Sequence, residues 1–339
     1  MEKVNVGIIG GGRIGLLHAA NMLQSAHYSL KRITDIYTEH LAGTVYEKEA
    51  TISTNPDDIF NDPNIDAIFI CSSTDTHVDF IKKAARSGKH IFCEKPISFD
   101  IDATREALKV VAEEGVHFQV GFNRRYDKHF RKVYDTVRDG KIGKPHVIKI
   151  TSRDPEAPPE EYIQRSGGMF MDMTIHDFDM VRYLAGSEVV DVTVKAANLV
   201  HPKFARHNDV DTAIITLTFA DGSLAVIDNS RQAVYGYDQR IEVFGDLGAV
   251  SAENEGNTTV RISTKDSIAV EHPKYFFLDR YKEAYIEEIN DFALAITEGK
   301  SLTCSGVDGL HAEELALAAR RSWQEKRTIS LAELKPVHN

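Results

Sequence analysis

The sequence predicts an α/β domain built on a parallel sheet, followed by an α+β domain with a mostly antiparallel, open sheet. Apolar strands and amphipathic helices alternate over the first third of the chain, as in a sheet that helices cover on both faces. A glycine-rich turn joins the first strand to the first helix, and short alternating strands follow from about residue 147. We expect the first domain at residues 1–121 and the second at 122–339, with the C-terminal helices packing back on the first.

Composition excludes several classes of protein. The chain has 339 residues, enough for two globular domains. Its net charge of −11 and the lack of a basic run argue against nucleic acid or an anionic membrane as partner. No apolar run in the sequence is long enough to span a membrane, and the N-terminus leads directly into a strand, so we expect no signal peptide. Cys71, Cys93 and Cys304 are far apart, which predicts reduced core residues of a cytoplasmic protein.

The first strand, Val4 to Ile9, is followed by Gly10-Gly11-Gly12-Arg13-Ile14-Gly15 and then by a helix. This is the G-x-G-x-x-G pattern in the setting that a Rossmann dinucleotide-binding domain requires. Gly10 would allow the tight turn, Gly12 the approach of a pyrophosphate, and Gly15 the packing of helix on strand. The alternative is a glycine-rich turn that binds nothing.

The next strand, Leu30 to Thr34, ends at Asp35, which lies 20 residues after Gly15. An acidic residue at this distance accepts hydrogen bonds from the adenosine ribose hydroxyls. Its charge would repel a 2′-phosphate, so the sequence favours NAD over NADP. Arg32 lies before the strand end and weakens this preference only slightly.

Two further buried strands end in polar segments. The strand Asp66 to Cys71 leads into Ser72–His77, which caps a helix predicted over Val78–Ser87, with Thr74 or Asp75 as the N-cap. His77 lies either towards the cofactor or on the surface. The candidate cofactor-binding residues of the first domain are Gly10, Gly12, Arg13, Ile14, Gly15, Asp35, Ser72, Thr74, His77, Glu94 and Lys95.

The strand His90 to Cys93 ends in Glu94-Lys95-Pro96. Parallel strands direct their carboxyl ends towards the ligand crevice, so Lys95 would lie where cofactor and substrate meet. The alternative is a solvated charge at a strand end. A helix over Asp102–Glu114 and a strand over Phe118–Gly121 complete the predicted domain.

The second domain begins with a charged helix predicted from Asn123 to about Arg138. Asp221-Gly222 is a strong hairpin signal between two of the following strands. One face of their sheet would carry helices, and the other would serve as a subunit interface. The predicted strands and C-terminal helices are Val147–Ser152, Val189–Asn198, Thr212–Phe219, Leu224–Asn229, Gln239–Phe244 and Ala249–Ala252, then Arg280–Thr297 and Leu310–Glu325.

A helix is predicted through Met169 to Met180, with Phe170, Met173, Val181 and Leu184 as its buried stripe. Asp172 and His176 are four residues apart and would share another face. A carboxylate beside an imidazole can orient the ring while it accepts a substrate proton. The alternatives are a surface ion pair or a metal site, but the sequence offers no third ligand of suitable spacing, so we expect no metal.

Three motifs together carry a resemblance to a known family. The G-x-G-x-x-G turn, the Glu94-Lys95-Pro96 strand end and the Gly-Gly segment before Asp172 and His176 occur in this order along nearly the whole chain. They resemble the Gfo/Idh/MocA oxidoreductases. The resemblance implies that Lys95, Asp172 and His176 form a catalytic triad.

Three more segments, residues 119–127, 152–155 and 235–245, resemble the inositol dehydrogenases of that family. This resemblance implies a polyol substrate, an inositol, bound by Arg125, Asp154 and Tyr235 together with the triad. It also implies a homotetramer assembled through the open sheet face.

The residue types suit the oxidation of a secondary alcohol, in which NAD accepts the hydride and the protein accepts the proton. His176 is the candidate base, Asp172 orients it, and Lys95 stabilises the developing alkoxide. Three interpretations remain open. The first is NAD-dependent oxidation of myo-inositol to 2-keto-myo-inositol. The second is a dehydrogenase of the same fold that acts on scyllo-inositol, another inositol isomer or an aldopyranose. The third is a non-catalytic NAD-binding sensor.

Overall fold

A computed structural model of the protein describes residues 3–334. The elements up to residue 126 alternate strand and helix, as the sequence predicts. The strands are β1 (Val4–Ile9), β2 (Tyr28–Thr34), β3 (Thr51–Ser53), β4 (Ala67–Ile70), β5 (His90–Cys93) and β6 (Phe118–Val120). The helices are α1 (Arg13–Gln24), α2 (Val45–Glu49), α3 (Asp57–Phe60), α4 (Thr74–Arg86) and α5 (Ile101–Glu114), with 3₁₀ turns at Glu39–Leu41 and Asn123–Tyr126.

The remaining elements are mostly strands between short helices. The strands are β7 (Pro145–Arg153), β8 (Val189–Ala197), β9 (Thr212–Phe219), β10 (Leu224–Ser230), β11 (Asp238–Gly245), β12 (Gly248–Ala252), β13 (Arg261–Ser263), β14 (Ile268–Val270) and β15 (Ile329–Ser330). The helices are α6 (Lys128–Arg138), α7 (Glu160–Ile163), α8 (Met169–Asp172), α9 (Ile175–Ala185), α10 (Lys203–Arg206), α11 (Phe277–Arg280), α12 (Lys282–Glu298) and α13 (Gly306–Glu325), with a last 3₁₀ turn at Leu331–Leu334.

The chain forms two compact units. The first contains residues 3–126 together with 283–313, and the second contains 127–282 together with 314–334. The first unit therefore extends five residues beyond the expected limit at 121 and includes a C-terminal segment. Asp127 begins the second unit as the N-cap of α6, where its carboxylate accepts from the backbone N–H groups of His129 and Phe130. The predicted start of this helix at Asn123 is wrong, because residues 123–126 form a 3₁₀ turn.

The first unit contains a six-stranded parallel sheet in the order β3-β2-β1-β4-β5-β6. This confirms the predicted Rossmann-type α/β domain. Helix α12 contributes to its core, since Ile289, Phe292 and Ala293 cluster with residues of β1, β4 and β5. The rings of Phe69 and Phe92 stack with centroids 4.4 Å apart, and Phe292 meets Phe69 edge-on at 5.7 Å.

The second unit contains a seven-stranded mixed sheet in the order β12-β11-β7-β10-β9-β8-β15. Only β7 and β10 pair in parallel, so the predicted mostly antiparallel sheet is confirmed. The predicted hairpin joins β9 to β10, and Gly222 adopts the positive φ of 87° that its turn requires. Along β9 buried residues alternate with more exposed ones, which gives the sheet one buried face and one open face.

Within residues 3–334, none of the helices combines the length and the apolar character needed to cross a membrane.

Candidate active site

The glycine loop between β1 and α1 has the shape that a diphosphate requires. Gly10 adopts φ +102°, and a Cβ there would lie 2.6 Å from the carbonyl group of Cys71. A Cβ on Gly15 would overlap the carbonyl oxygen of Gly10, whereas one on Gly12 would meet nothing within 4 Å. Gly10 and Gly15 are therefore fixed by close packing, and Gly12 borders open space.

Helix α1 begins beside this open space. Gly12 is its N-cap and cannot cap it with a side chain, and the first turn carries no acidic residue. Arg13 and Ile14 are the first two residues of the helix, and Arg13 is exposed. The unsatisfied N–H groups and the positive end of the helix dipole can thus accept the phosphates of a dinucleotide.

Asp35 follows β2 and lies against the same loop. Its Oδ2 accepts from the backbone N–H of Gly11 at 2.6 Å, and its Oδ1 accepts from that of Tyr37 at 3.0 Å. Arg32, the one nearby cation considered from sequence, instead faces Asp58 and Asp62 at 3.9 and 3.7 Å. The structure therefore puts a carboxylate at the edge of the loop and engages Arg32 elsewhere.

The segment after β4 differs from its prediction in two ways. Helix α4 begins at Thr74, four residues earlier than predicted, and its N-cap is Ser73 rather than Thr74 or Asp75. Ser72 is half-buried, and its hydroxyl lies 2.7 Å from that of Thr76. His77 is only 1% exposed, so the surface alternative for this histidine is wrong. Its Nδ1 lies 2.9 Å from the carbonyl oxygen of Pro96 and its Nε2 lies 3.1 Å from that of Ser72.

Glu94 and Lys95 follow β5. The Glu94 carboxylate turns towards the protein interior, where its Oε1 lies 2.7 Å from Nε2 of the fully buried His18. A Cβ added to Gly121 would lie 2.9 Å from Oε2 of Glu94, so this glycine makes room for the carboxylate. Lys95 is half-buried at the carboxyl end of the parallel sheet, the edge where doubly wound sheets bind their ligands.

In the second unit, the predicted helix around Asp172 and His176 is broken in two. Asp172 is the last residue of α8, and His176 is the second residue of α9. The N–H groups of Met173 and Thr174 both donate to the carbonyl of Met169, which closes the first helix and starts a new one. The expected single helix is therefore wrong. The predicted stripe of Phe170, Met173, Val181 and Leu184 is buried, as is nearly every residue of this segment.

The Asp172 carboxylate belongs to a buried network. Its Oδ1 accepts from the Tyr162 hydroxyl at 2.7 Å, and its Oδ2 accepts from the Arg231 guanidinium at 2.8 Å. Arg231 also donates to Oδ2 of Asp154 at 3.2 Å. Burial alone would lower the pKa of Arg231, but Asp172 and Asp154 raise it above the ordinary value. Arg231 thus stays charged and links two residues that the sequence analysis proposed separately.

The junction between α8 and α9 is held from β10. The amide oxygen of Asn229 accepts from the Thr174 hydroxyl at 2.6 Å, and its amide nitrogen donates to Asp177 at 2.9 Å. Asn229 is fully buried. It fixes the residues on both sides of His176, while Arg231, two positions later, fixes Asp172.

Sequence reasoning missed Tyr162, Asn229 and Arg231. Each lies at least 10 positions from its partner, as the separations of 10, 52, 55 and 59 show. No periodicity or motif links positions so far apart. The only local signal was the run of polar residues that ends the apolar strand β10.

Two proposed substrate residues have other contacts. Arg125 is 4% exposed and donates to the carbonyl of Thr303 at 2.7 Å and to Asp308 at 2.9 Å, all within the first unit. Tyr235 is 38% exposed, and its hydroxyl donates to Asp238 at 2.6 Å. The substrate roles of Arg125 and Tyr235 stay predictions.

Fold and sequence together define an oxidoreductase with an NAD-binding domain. Residues 4–122 match the model of the oxidoreductase family with an NAD-binding Rossmann fold, GFO_IDH_MocA. Residues 130–251 match the GFO/IDH/MocA C-terminal domain. The chain therefore belongs to the GFO/IDH/MocA family, as the motifs indicated.

Relatives match over almost the full length. The chain is 53% identical to the uncharacterized oxidoreductase YrbE of Bacillus subtilis (strain 168), covering 99% of each protein. It is 47% identical to the inositol 2-dehydrogenase of Rhizobium meliloti (strain 1021), covering 97% of this chain and 99% of that protein. It is 43% identical to the myo-inositol 2-dehydrogenase of Thermotoga maritima, covering 98% and 99%.

Solved structures agree with this assignment. A putative myo-inositol dehydrogenase from Sinorhizobium meliloti 1021 superimposes with a TM-score of 0.93 at 46% identity, over 97% of this chain and 100% of that one. The scyllo-inositol dehydrogenase of Lactobacillus casei, solved with NAD(H) and scyllo-inositol, gives 0.89 at 29% identity, over 98% and 100%. The protein is thus an NAD-dependent dehydrogenase similar to the inositol dehydrogenases.

Proposed function

We propose that the protein oxidises myo-inositol at C2 with NAD⁺ and forms 2-keto-myo-inositol. The proposal rests on one observation above all: similarity to proteins named inositol 2-dehydrogenases extends over almost the whole chain. A sensor would need only the dinucleotide domain and has no use for groups that transfer protons.

The chain's own residues divide the chemistry between them. Bound NAD⁺ supplies the nicotinamide carbon that accepts the hydride. His176 takes the proton of the hydroxyl that is oxidised, and Lys95 stabilises the developing negative charge on its oxygen. Asp172 orients the imidazole and favours its protonated form. Arg231 supports this role because its guanidinium pairs with the Asp172 carboxylate.

The substrate is polar on every side, so its pocket must supply many donors and acceptors. Asp154 supplies an acceptor that Arg231 holds in place. Arg125 and Tyr235 are the further proposed contacts. Because Arg125 already donates to Thr303 and Asp308, it has at most part of its guanidinium left for a hydroxyl group.

The compartment and assembly form a second part of the proposal. None of the three cysteines forms a disulfide, which suits a reducing cytoplasm. The open face of the second sheet is the proposed contact of a homotetramer.

A nicotinamide absorbance assay with a panel of polyols tests the proposal. We expect turnover with NAD⁺ and myo-inositol, and a fall of roughly 10²–10⁴ in His176→Ala while NAD still binds. Faster turnover of scyllo-inositol, another isomer or an aldopyranose would reassign the substrate within the same chemistry. NAD binding without oxidation of any polyol would instead favour a sensor.

A further inference from the structure

His77 occupies an unusual position in the first unit. It lies on α4 with 1% of its surface exposed, and both of its ring nitrogens face backbone carbonyl oxygens. These carbonyls belong to Ser72 and Pro96, which follow β4 and β5. The two strands are neighbours in the sheet, with Ile70 paired to Cys93. The imidazole therefore spans the carboxyl ends of two adjacent strands.

This contact leaves His77 no polar atom for a cofactor. A neutral imidazole donates from one nitrogen and a protonated imidazole from both. Burial lowers the pKa of His77, and the two carbonyl contacts oppose that shift. A protonated ring donates to both carbonyls, whereas a neutral ring donates to one of them, which is that of Pro96 when Nδ1 carries the proton.

The residue on the other side of Lys95 is held in a similar way. Glu94 is bound by His18, which lies on α1 and is packed between the rings of Phe69, Phe92 and Tyr285. The backbone N–H of Glu94 also donates to Ile70 at 3.0 Å. Buried histidines from two different helices thus hold the chain immediately before and immediately after Lys95.

We propose that His77 is a positioning residue that fixes Lys95 through the Pro96 carbonyl, a role that rests on the proposed function of Lys95 in alcohol oxidation. The helix that carries His77 begins at the Ser72–Thr74 segment, on the proposed cofactor side. His77 therefore sets the place of the Lys95 ammonium relative to this segment. A displacement of about 1 Å in a catalytic group is enough to cost on the order of 10² in rate.

Three variants separate the two contacts of the ring. His77→Phe keeps a buried ring but removes both nitrogens. The amide of Asn reaches about as far as Nδ1, and that of Gln about as far as Nε2. His77→Asn should therefore keep the Pro96 contact and retain most of the rate, whereas His77→Gln should resemble His77→Phe.

The first measurement is the rate of hydride transfer in single turnovers, with NAD affinity determined by calorimetry. We expect His77→Phe to lower the rate by about 10–100-fold and to change NAD affinity by less than about threefold. In a Lys95→Ala background the same substitution should cost almost nothing, because residues that act through one another are non-additive.

His90→Phe is the matched control. His90 begins β5, the strand that Lys95 follows, and its Nδ1 accepts from the backbone N–H of His117 at 3.1 Å. It is half-buried and lies at the end of β5 away from Lys95. We expect its loss to lower the melting temperature without changing the rate of the folded enzyme.

A second measurement needs no turnover. The rate at which an acylating reagent modifies Lys95 is followed by peptide mass spectrometry, with the exposed residues Lys109 of α5 and Lys141, which precedes β7, as internal references. His77→Phe should change the Lys95 rate relative to both references, and His77→Asn should restore it. This keeps the positioning role testable even if the wild type oxidises no polyol, a result that would refute only the proposed function.

Three results would overturn the positioning role. One is an equal loss of rate in the wild-type and Lys95→Ala backgrounds, which would indicate a general structural effect. Another is lost NAD affinity with an unchanged rate, which would make His77 a support of the cofactor site. The third is unchanged Lys95 reactivity and an unchanged rate in His77→Phe.

Discussion

At the scale of one residue, we expect Asp35 to decide the choice between NAD and NADP. Its carboxylate lies on the glycine loop, bonded to the N–H of Gly11, and would repel a 2′-phosphate. Asp35→Ser should reduce the preference for NAD by about tenfold, equivalent to ~1.4 kcal/mol. The ratio of kcat/KM values for the two cofactors measures this. Equal use of both cofactors by the wild type would contradict the assignment.

Arg231 pairs with the carboxylates of both Asp172 and Asp154. Replacing this cation by Met leaves two carboxylates, Asp154 and Asp172, without their shared partner, so the pKa of each should rise. Titratable groups around them are Tyr162 and Asp209, and burial holds the pKa of Asp209 above its usual value. The acidic limb of the kcat/KM profile should therefore move to higher pH in Arg231→Met.

Two variants serve as controls for this shift. Arg231→Lys keeps the positive charge but loses the planar guanidinium that binds Asp154 and Asp172 at the same time. It should therefore restore the pH profile more than the rate. Arg327→Met removes an exposed arginine that pairs with Glu325 and Glu333 in the same unit, and its profile should match that of the wild type. An unshifted limb in Arg231→Met would mean that Asp172 does not govern it. Stability should also be measured, because breaking a buried pair costs about 3–5 kcal/mol.

At the scale of elements, α12 carries a buried acid into the core of the first unit. Glu288 is 0% exposed, and neither of its carboxylate oxygens has a hydrogen-bond partner among the described residues. Burial, and then the charge of Glu94, raise the pKa of Glu288 well above its usual value. Glu288 therefore retains its proton in the folded protein at pH values where the unfolded chain has lost it.

A raised pKa gives this acid a pH dependence of defined sign. Its contribution to stability is fully present below the unfolded pKa and is lost as pH rises through the folded pKa. Glu288→Gln removes that loss, so its melting temperature should exceed the wild-type value by a few degrees more at pH 8 than at pH 5. Glu287→Gln, an exposed neighbour on α12, should show no such trend. A constant difference at both pH values would contradict a protonated Glu288.

The sequence predicted regular elements well where periodicity was continuous. The bounds of β1, β5 and β9 agree with the structure residue for residue. It failed where tertiary contacts override a local pattern. The apolar spacing around Asp172 predicted one helix, but the Asn229 amide binds Thr174 at the junction and two helices form. Likewise, His77 is a polar residue of a kind often found at the surface, and its burial is explained by the backbone carbonyls of Ser72 and Pro96 that face its ring.

The candidate site was predictable in part for the same reason. Motifs of fixed spacing identified the glycine loop, Asp35, Lys95, Asp172 and His176. The supporting residues Tyr162, Asn229 and Arg231 escaped because their partners are distant in sequence. Short elements such as α2, β3 and the β13–β14 hairpin were missed because they lie largely at the surface, so no buried apolar run marks them as one marks β5.

At the scale of the whole molecule, the order of the chain does not follow the order of the units. Residues 283–313 belong to the first unit although they follow most of the second. The physical reason lies in α12, whose Ile289, Phe292 and Ala293 complete the core of the parallel sheet. An amphipathic pattern shows that a helix packs on something apolar, but it does not identify the sheet. We therefore expect a chain truncated after residue 282 to lose the stability of its first unit.

The open face of the second sheet bears on how the whole molecule assembles. Its open face presents apolar side chains on neighbouring strands, with Ile214, Leu224 and Phe244 exposed by 44%, 49% and 48%. Leu224 and Phe244 lie on one face of the sheet because both pair with Val147 of β7. Ile214 lies on the same face because it pairs with Asp228, which is an even number of residues from Leu224 along β10. Apolar side chains grouped on one face are typical of a subunit interface.

We expect a homotetramer, which light scattering after gel filtration would detect as about four times the chain mass of 37.9 kDa. Leu224→Glu should shift the mass to dimers or monomers, because an unpaired charge is costly to bury in an interface. Val45→Glu is the matched control, since Val45 is 52% exposed but lies on α2 of the first unit. A monomeric wild type, or equal dissociation by both variants, would show that this face is not the contact.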